Sequence, residues 1–253
     1  MAGHSKWHNI KHKKAAQDQK RGKIFTKIMR EIYVAVKQGG PNPDNNPRLR
    51  LAMEMAKEVN MPKDNVERAI KKATGGAEGE NMDEVLFEGY GPGGIAMYIS
   101  AITDNRNRTS SQIRSIFSKY GGTLAEAGSV SWMFEMKGVL TFSKRVLGDK
   151  KDLLTDTAIE SGADDINEDK DNIYVMCDPK NFEALKEKLN NAGFSWESAE
   201  VTYIPKNTVK VSGKVAESIL KLMEVLDEHD DVNKVWANFE IEDEELEKFM
   251  ATA

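Results

Sequence analysis

The spacing of the apolar residues changes abruptly at the Gly- and Glu-rich segment 75–80. Before this segment, apolar residues recur every three or four positions, which is the period of a helix with one buried face. After it, short apolar or alternating runs typical of strands are interspersed with helical segments. Because one repeating pattern does not account for both parts, the sequence predicts an α+β, multidomain chain whose helical part comes first.

The part before this change, residues 21–76, is predicted to form an N-terminal three-helix domain. Apolar spacing predicts a first helix at 21–38, which Gly39 and the residues after it end. Asn46 and Pro47 suit the cap and first turn of a second helix, and Pro62 opens a third helix that ends near residue 75. Lys and Arg fall on the outer sides of the first and third helices, so this domain has a basic exterior.

The part after the change reads as two α/β units. Residues 138–204 have the order βαββαβ, which is the ferredoxin-like order. Residues 80–135 read as β-β-α-β, ending in a strand at 129–134, and a helix at 216–227 with a strand at 232–239 supplies what this unit lacks. We therefore predict two α/β sandwich (ferredoxin-like) domains, one inserted into the other. The predicted domains are a basic flexible tail (1–20), the helical domain (21–76), a discontinuous α/β domain (80–135 plus 205–240), the inserted domain (138–204) and a C-terminal helix or tail (241–253).

The charge of the chain is divided unevenly between these parts. The net charge is −5 at pH 7. Residues 1–75 carry 17 Lys and Arg against 7 Asp and Glu, a net +10, and the rest carries 19 against 34, a net −15. Such asymmetry indicates a dedicated interaction region, and a basic end suits a polyanion.

Clustered Lys and Arg on one face are the electrostatic footprint of nucleic-acid binding. Lysines contact phosphates as point charges, and Trp7 among them suits stacking on a base or packing on the helical domain. The loop 104–109 carries two arginines before a helix, which suits a phosphate; the alternative is a capped polar turn. Arg48 and Arg50, near a helix start, are the candidates for base edges. The predicted nucleic-acid-binding residues are Lys6, Trp7, His8, Lys11, Lys13, Lys14, Lys20, Arg21, Lys23, Lys27, Arg30, Arg48, Arg50, Arg68, Lys71, Lys72, Arg106 and Arg108.

We predict neither a catalytic site nor a metal or cofactor site. His4, His8 and His12 share a spacing of four, but a Cys or carboxylate to complete a zinc site is missing nearby, which favours hydrogen bonds to phosphate or base. His229 lies among acids and is expected at the surface. The single cysteine, Cys177, excludes a disulfide framework. We therefore expect a binding protein and not an enzyme. We place it in the cytoplasm, since the start lacks a signal-type apolar region and the sequence lacks a run of ~20 apolar residues.

Seven segments of the chain carry distinctive motifs: 1–14 (MAGHSKWHNIKHKK), 20–25 (KRGKIF), 46–50 (NPRLR), 60–70 (NMPKDNVERAI), 90–94 (YGPGG), 103–109 (TDNRNRT) and 128–132 (GSVSW). Taken together, they resemble the YebC/PmpR family, which includes the mitochondrial translational activator of cytochrome c oxidase. The resemblance spans essentially the whole chain and is most specific up to about residue 135. It implies one helical and two α/β domains, and a cytoplasmic DNA-binding transcriptional regulatory protein.

Two functions stay open from the sequence. The first is a DNA-binding transcriptional regulator whose helices contact the phosphates of a duplex. The second is a ribosome-associated translation factor whose lysine-rich tail folds on structured RNA; other members of the family assist synthesis of proline-rich stretches at the ribosome. In both, the partner is nucleic acid, DNA or ribosomal RNA, and a membrane is not involved. The sequence leaves monomer and dimer equally open.

Overall fold

A computed structural model of the chain describes residues 18–75 and 81–252. These residues fall into two compact units. One is Phe134–Lys206, and the other combines the chain up to Met133 with the chain from Asn207 onward. The predicted boundary between a helical domain and a discontinuous α/β domain stays a prediction, because both lie within the second unit.

The first three helices are α1 (Asp18–Gly39), α2 (Pro47–Glu58) and α3 (Lys63–Thr74). One side chain, Asn46, joins the first two. Its carbonyl oxygen caps α2 by accepting from Leu49 N at 3.0 Å, and its amide nitrogen donates to the carbonyls of Ala35 and Gly40, each at 2.8 Å. Asn46 therefore satisfies free backbone groups at the end of α1 and at the start of α2. The predicted cap is confirmed.

The remaining helices and strands follow in chain order. They are β1 (Asp83–Gly91), β2 (Ile95–Thr103), α4 (Arg106–Lys119), β3 (Thr123–Ala125), β4 (Phe134–Ser143), α5 (Lys144–Leu147), α6 (Lys151–Ser161), β5 (Asp165–Glu168), β6 (Asn172–Cys177), α7 (Phe182–Asn191), β7 (Ser198–Pro205), β8 (Val209–Lys210), α8 (Gly213–Glu228), β9 (Val232–Ala237), β10 (Phe239–Glu240) and α9 (Asp243–Thr252). The α+β, multidomain class predicted from the sequence is confirmed.

The unit Phe134–Lys206 has the ferredoxin-like order. Its antiparallel sheet runs β5-β6-β4-β7, with α6 and α7 as the two crossing helices. Gly138 of β4 lets α7 approach closely, because a Cβ there would lie 2.3 Å from the Phe182 ring. The fully buried strand β6 lies in the interior of this sheet.

The other unit has an antiparallel sheet of order β3-β1-β2-β9. The helix and strand expected after residue 205 are present, since α8 packs on the sheet and β9 pairs with β2. Ile113 and Phe117 of α4, with Ile219 and Met223 of α8, are fully buried in the core on one face. Because the hairpin strands β1 and β2 are the two central strands, this strand order is not the ferredoxin-like one.

One predicted strand is wrong. Residues 129–133 form a bend and a 3₁₀ segment, Ser131–Met133, and Phe134 already begins β4; the third strand of this part of the chain is the short β3. The reason is that the backbone N–H groups of Gly128, Val130 and Ser131 donate to the carboxylate of Glu88 and not to a neighbouring strand. Among the described residues, none of the helices is long and apolar enough to cross a membrane.

Candidate nucleic-acid interface

The predicted interface begins outside the described part of the chain. Six of the eighteen predicted residues lie there: Lys6, Trp7, His8, Lys11, Lys13 and Lys14. His4 and His12 lie there as well. Lys20 and Arg21 lie in the first turn of α1, of which only the backbone is described.

The basic side of α1 contacts the C-terminal end of α8. Lys23 Nζ donates to the carbonyl oxygen of Glu228 at 3.2 Å. Lys27 Nζ donates to the carbonyl of Asp227 and lies 3.4 Å from its Oδ1. The last turn of α8 carries acids and lacks a basic residue, although the free carbonyls of a helix end favour cations. The lysines of α1 supply the positive charge that α8 does not supply itself.

Arg30, also on α1, contacts a carboxylate hub at Asp231. Asp231 is 5% exposed, and its oxygens accept from Arg30 Nη1 at 3.0 Å, Arg108 Nη2 at 2.9 Å and Thr109 Oγ1 at 2.7 Å. Burial alone would raise the pKa of Asp231, but hydrogen bonds from Arg108 and Thr109 outweigh it and hold the pKa below its usual value. The hub joins α1, the start of α4 and the segment before β9.

The loop 104–109 has the contacts of a capped turn. The side chain of Asn105 accepts from Arg108 N at 3.0 Å at the start of α4. Arg108 Nη2 lies 2.7 Å from Asp104 Oδ1 in addition to its contact with Asp231. Arg106 is exposed. The two arginines therefore differ, because Arg108 is held by two carboxylates, whereas Arg106 points into solvent.

Arg48, a candidate for reading base edges, is the centre of a second ion-pair network. It binds Glu31 through Nε and Nη2, at 2.6 and 3.1 Å, and Glu84 through Nη1 and Nη2, at 2.8 and 3.0 Å. Gln38 Oε1 accepts from Nη1 at 2.8 Å. Burial alone would lower the pKa of Arg48, but the hydrogen bonds to Glu84 and Glu31 outweigh it and raise the pKa. These paired hydrogen bonds tie α1 and α2 to β1.

The third helix carries three more of the predicted cations on its exposed side. Its apolar face, Val66 and Ala69 among others, is buried. Arg68, Lys71 and Lys72, at relative positions i, i+3 and i+4, are exposed on the other side. Lysines in the last turn also suit the helix dipole, which by itself accounts for part of this pattern. Arg50 is half-buried.

Three sets of charged residues were not identified from the sequence. They are the hub at Asp231, the paired acids Glu31 and Glu84, and the Glu88 carboxylate beneath the loop 128–131. Their partners lie up to about 200 residues away in the chain, so local spacing carries no signal for them. His229, expected at the surface, is half-buried and bonded to Gln112 and to the backbone of Asp231. Within 18–75 and 81–252, none of the groups of His, Cys, Asp and Glu is arranged to hold a metal ion.

Comparisons with known proteins match the chain over nearly its full length. The family model described as the TACO1/YebC protein N-terminal domain matches residues 5–76, and the model of the TACO1/YebC second and third domain matches residues 82–239. A probable transcriptional regulatory protein of Geobacter sp. (strain M21) is 55% identical over 250 residues, which is 99% of this chain and 100% of that protein. One of Thermotoga maritima is 53% identical over 251 residues, covering 99% and 98%. The crystal structure of a conserved hypothetical protein from Aquifex aeolicus is similar with a TM-score of 0.82 and 45% identity, over 89% of this chain and 93% of that one.

Proposed function

Because the chain belongs to the TACO1/YebC family, we propose that it is a regulator of gene expression that binds nucleic acid through its basic N-terminal end. The names of the relatives, probable transcriptional regulatory proteins, support the regulatory role. The form of this function that we put first is a DNA-binding transcriptional regulator in the cytoplasm.

The observation that carries the proposal is the distribution of cations over the helical part. The basic side of α1 is turned toward acids and carbonyls at the end of α8. Arg68, Lys71 and Lys72 lie on the exposed side of α3. We therefore assign the contact to the basic segment 1–21 together with the exposed face of α3. Lys23, Lys27 and Arg30 hold the fold together in our account.

These cations suit phosphates better than bases. Lys binds a phosphate as a point charge, and such contacts give affinity without sequence information. Sequence-specific reading in a major groove needs Arg, Asn or Gln aimed at base edges. Arg48 is the residue for which we expected this role, and Glu31 and Glu84 occupy its guanidinium.

This engagement of Arg48 favours a second candidate function, a ribosome-associated translation factor. Structured RNA is recognised largely by shape and backbone, which requires cations and little base readout. A basic N-terminal segment followed by a strongly acidic remainder suits this role, because the acidic part is repelled from the RNA and stays at its surface. In neither candidate function do we propose a catalytic step or a cofactor.

The proposal is tested by removing the charges of α3. The variant Arg68→Gln/Lys71→Gln/Lys72→Gln is compared with a control variant, Arg145→Gln/Lys150→Gln/Lys180→Gln, which removes three exposed cations from the unit 134–206. Fluorescence anisotropy measures binding of each protein to duplex DNA and to a structured RNA over a range of salt concentrations. We expect the α3 variant to bind more weakly and its log–log salt slope to fall by about 2 to 3, since each lost phosphate contact contributes about 0.7 to 0.9.

The control variant is expected to keep the wild-type affinity and slope. Equal losses in the two variants would mean that net charge, and not the α3 face, determines binding.

A further experiment distinguishes the two candidate functions. Tight, sequence-selective promoter binding by protein that does not sediment with ribosomes supports the first. Sedimentation with ribosomes at moderate salt that is lost when residues 1–20 are deleted supports the second.

A further inference from the structure

A buried carboxylate holds the loop 128–131 in place. Glu88 of β1 is 6% exposed. Its Oε1 accepts from Gly128 N at 2.8 Å, and its Oε2 accepts from Val130 N at 2.6 Å and from Ser131 N at 2.8 Å. Burial alone would raise the pKa of Glu88, but these three backbone hydrogen bonds outweigh it and lower the pKa. The carboxylate therefore stays ionised, with its charge directed into the loop.

Two aromatic side chains converge on the loop that Glu88 holds. Tyr90 Oη donates to the carbonyl oxygen of Ser129 at 3.2 Å, and Trp132 Nε1 donates to the same oxygen at 3.1 Å. Tyr90 is 36% exposed and Trp132 is 63% exposed. We call these two side chains the aromatic platform. Leu86, on the same face of β1, is 46% exposed.

The two rings of the platform are held in place although they are exposed and contribute little to a hydrophobic core. An indole that is mostly in solvent forfeits much of the free energy that burial of a large apolar side chain provides. A Trp on a loop also gains freedom when it is not held. Here a buried Glu and a glycine at φ 90°, Gly128, fix the loop that carries it. Val130 of this loop is fully buried, and Tyr90 lies in a strand that pairs on both sides, so the backbone that carries the two rings is ordered.

The chemistry of the exposed surface favours a flat, aromatic ligand. The O–H of Tyr90 and the N–H of Trp132 both donate to Ser129, so neither is directed at the carbonyls of a bound peptide. The platform presents the faces of two aromatic rings. Any nucleobase can stack on such a face, whatever the base is. The charge of Glu88 is satisfied by three N–H groups and does not repel a polyanion strongly.

We propose that Tyr90 and Trp132 form a stacking site for an unpaired base of single-stranded nucleic acid. The inference rests on the proposed function and adds a second point of contact, outside the basic N-terminal end. Stacking needs a base that is free of its duplex, so the site discriminates single-stranded from fully paired nucleic acid. It contributes through the π-face of a base and not through phosphate charge, so it does not alter the dependence of binding on salt.

The test uses the full chain with Trp132→Ala, and Trp132→Phe as the matched variant that keeps an aromatic ring. Anisotropy measures binding to a fluorescein-labelled oligouridine 12-mer and to a duplex of equal length. We expect Trp132→Ala to weaken binding to the single strand by about 5- to 100-fold, to leave duplex binding within twofold, and to leave the salt slope of both unchanged. Trp132→Phe is expected to retain most of the single-strand affinity.

Circular dichroism verifies that each variant is folded, and Tyr90→Leu is used as a second probe of the platform should Trp132→Ala not fold. Unchanged single-strand binding in a folded Trp132→Ala or Tyr90→Leu variant overturns the stacking site and points to a protein occupant of the platform. Equal losses for single strand and duplex also overturn it. Failure of the proposed function is a separate outcome, because in that case the wild-type chain itself binds neither nucleic acid.

Discussion

Arg48→Met is the substitution that most sharply distinguishes a structural arginine from one that reads bases. The change removes a guanidinium that makes paired hydrogen bonds with both Glu31 and Glu84 and leaves those two carboxylates facing an apolar side chain. The three side chains are 32%, 16% and 24% exposed. Breaking a fully buried pair costs roughly 3 to 5 kcal/mol. Because these side chains are partly exposed, the cost is smaller here, and we expect a loss of about 2 to 4 kcal/mol in the stability of this unit.

The pH dependence of this loss follows from the pKa of Glu84. Burial alone would raise that pKa, but Arg48 and Ser100 outweigh it and hold the pKa below its usual value. A carboxylate whose pKa is lower in the folded state contributes stability above its unfolded pKa, and this stability disappears as pH falls through the folded value. Arg48→Met abolishes the contribution. The difference between wild type and variant is therefore largest at neutral pH and shrinks below about pH 4.

Amide hydrogen exchange followed by mass spectrometry measures this prediction, because it reports each unit separately. Peptides from α2 and β1 are expected to exchange about 30- to 1000-fold faster in Arg48→Met, which corresponds to the loss above. Peptides from 134–206 serve as an internal reference and Arg68→Met, at an exposed position, as the matched control, for which a change within about 0.5 kcal/mol is expected. A variant with wild-type exchange but reduced nucleic-acid affinity would refute the structural role and restore Arg48 as a base-reading residue.

Three further predictions concern other groups. The pKa of His229 is lowered by burial, despite the opposing effect of Asp231 and Asp230; its Nδ1 accepts from Asp231 N, so Nε2 carries the proton toward Gln112. Stability is then lost as pH falls below about 6.5, and an NMR titration midpoint at or above that value would contradict the assignment. Burial, followed by the nearby charges of Asp164 and Asp178, raises the pKa of Cys177 to about 11. A thiol reagent at pH 8 should therefore react slowly with Cys177 until the protein is denatured. Rapid labelling of the native protein would contradict this prediction, because it would show that the thiol is accessible. Lys27→Met removes the cation of α1 that contacts the end of α8, and should lower the free energy of unfolding in urea by about 0.3 to 1 kcal/mol. Lys37→Met should lower it by less, and equal effects would argue against the contact with α8.

Local sequence signals were sufficient for most of the elements. The cap at Asn46 and the end of the third helix near residue 75 follow from residues next to one another in the chain, and the structure places both as expected. The order of helices and strands along the chain within 134–206, βαββαβ, also followed from the apolar spacing. These features depend on backbone groups whose partners are near in sequence and on the spacing of apolar residues within one element.

Contacts between distant residues account for what the sequence reasoning missed. A row of cations on α1 has the same pattern whether it faces a phosphate or the end of another helix, and only the fold brings Asp227 and Asp231 to it. The same reason explains the wrong strand at 129–134. Its residues are suited to a strand, but Glu88, some 40 positions earlier, captures their N–H groups. Charge patterns therefore locate candidate cations without showing which of them are already paired.

Ultraviolet crosslinking in living cells tests the central claim, that this protein contacts nucleic acid through its basic N-terminal end. Crosslinked peptides are identified by mass spectrometry and the attached nucleic acid is sequenced. We predict crosslinks within residues 1–21 and at α3, on either promoter DNA or ribosomal RNA, which also decides between the two candidate functions. Crosslinks confined to residues 134–206, or recovery of nucleic acid no greater than from an uncrosslinked sample, would contradict the account.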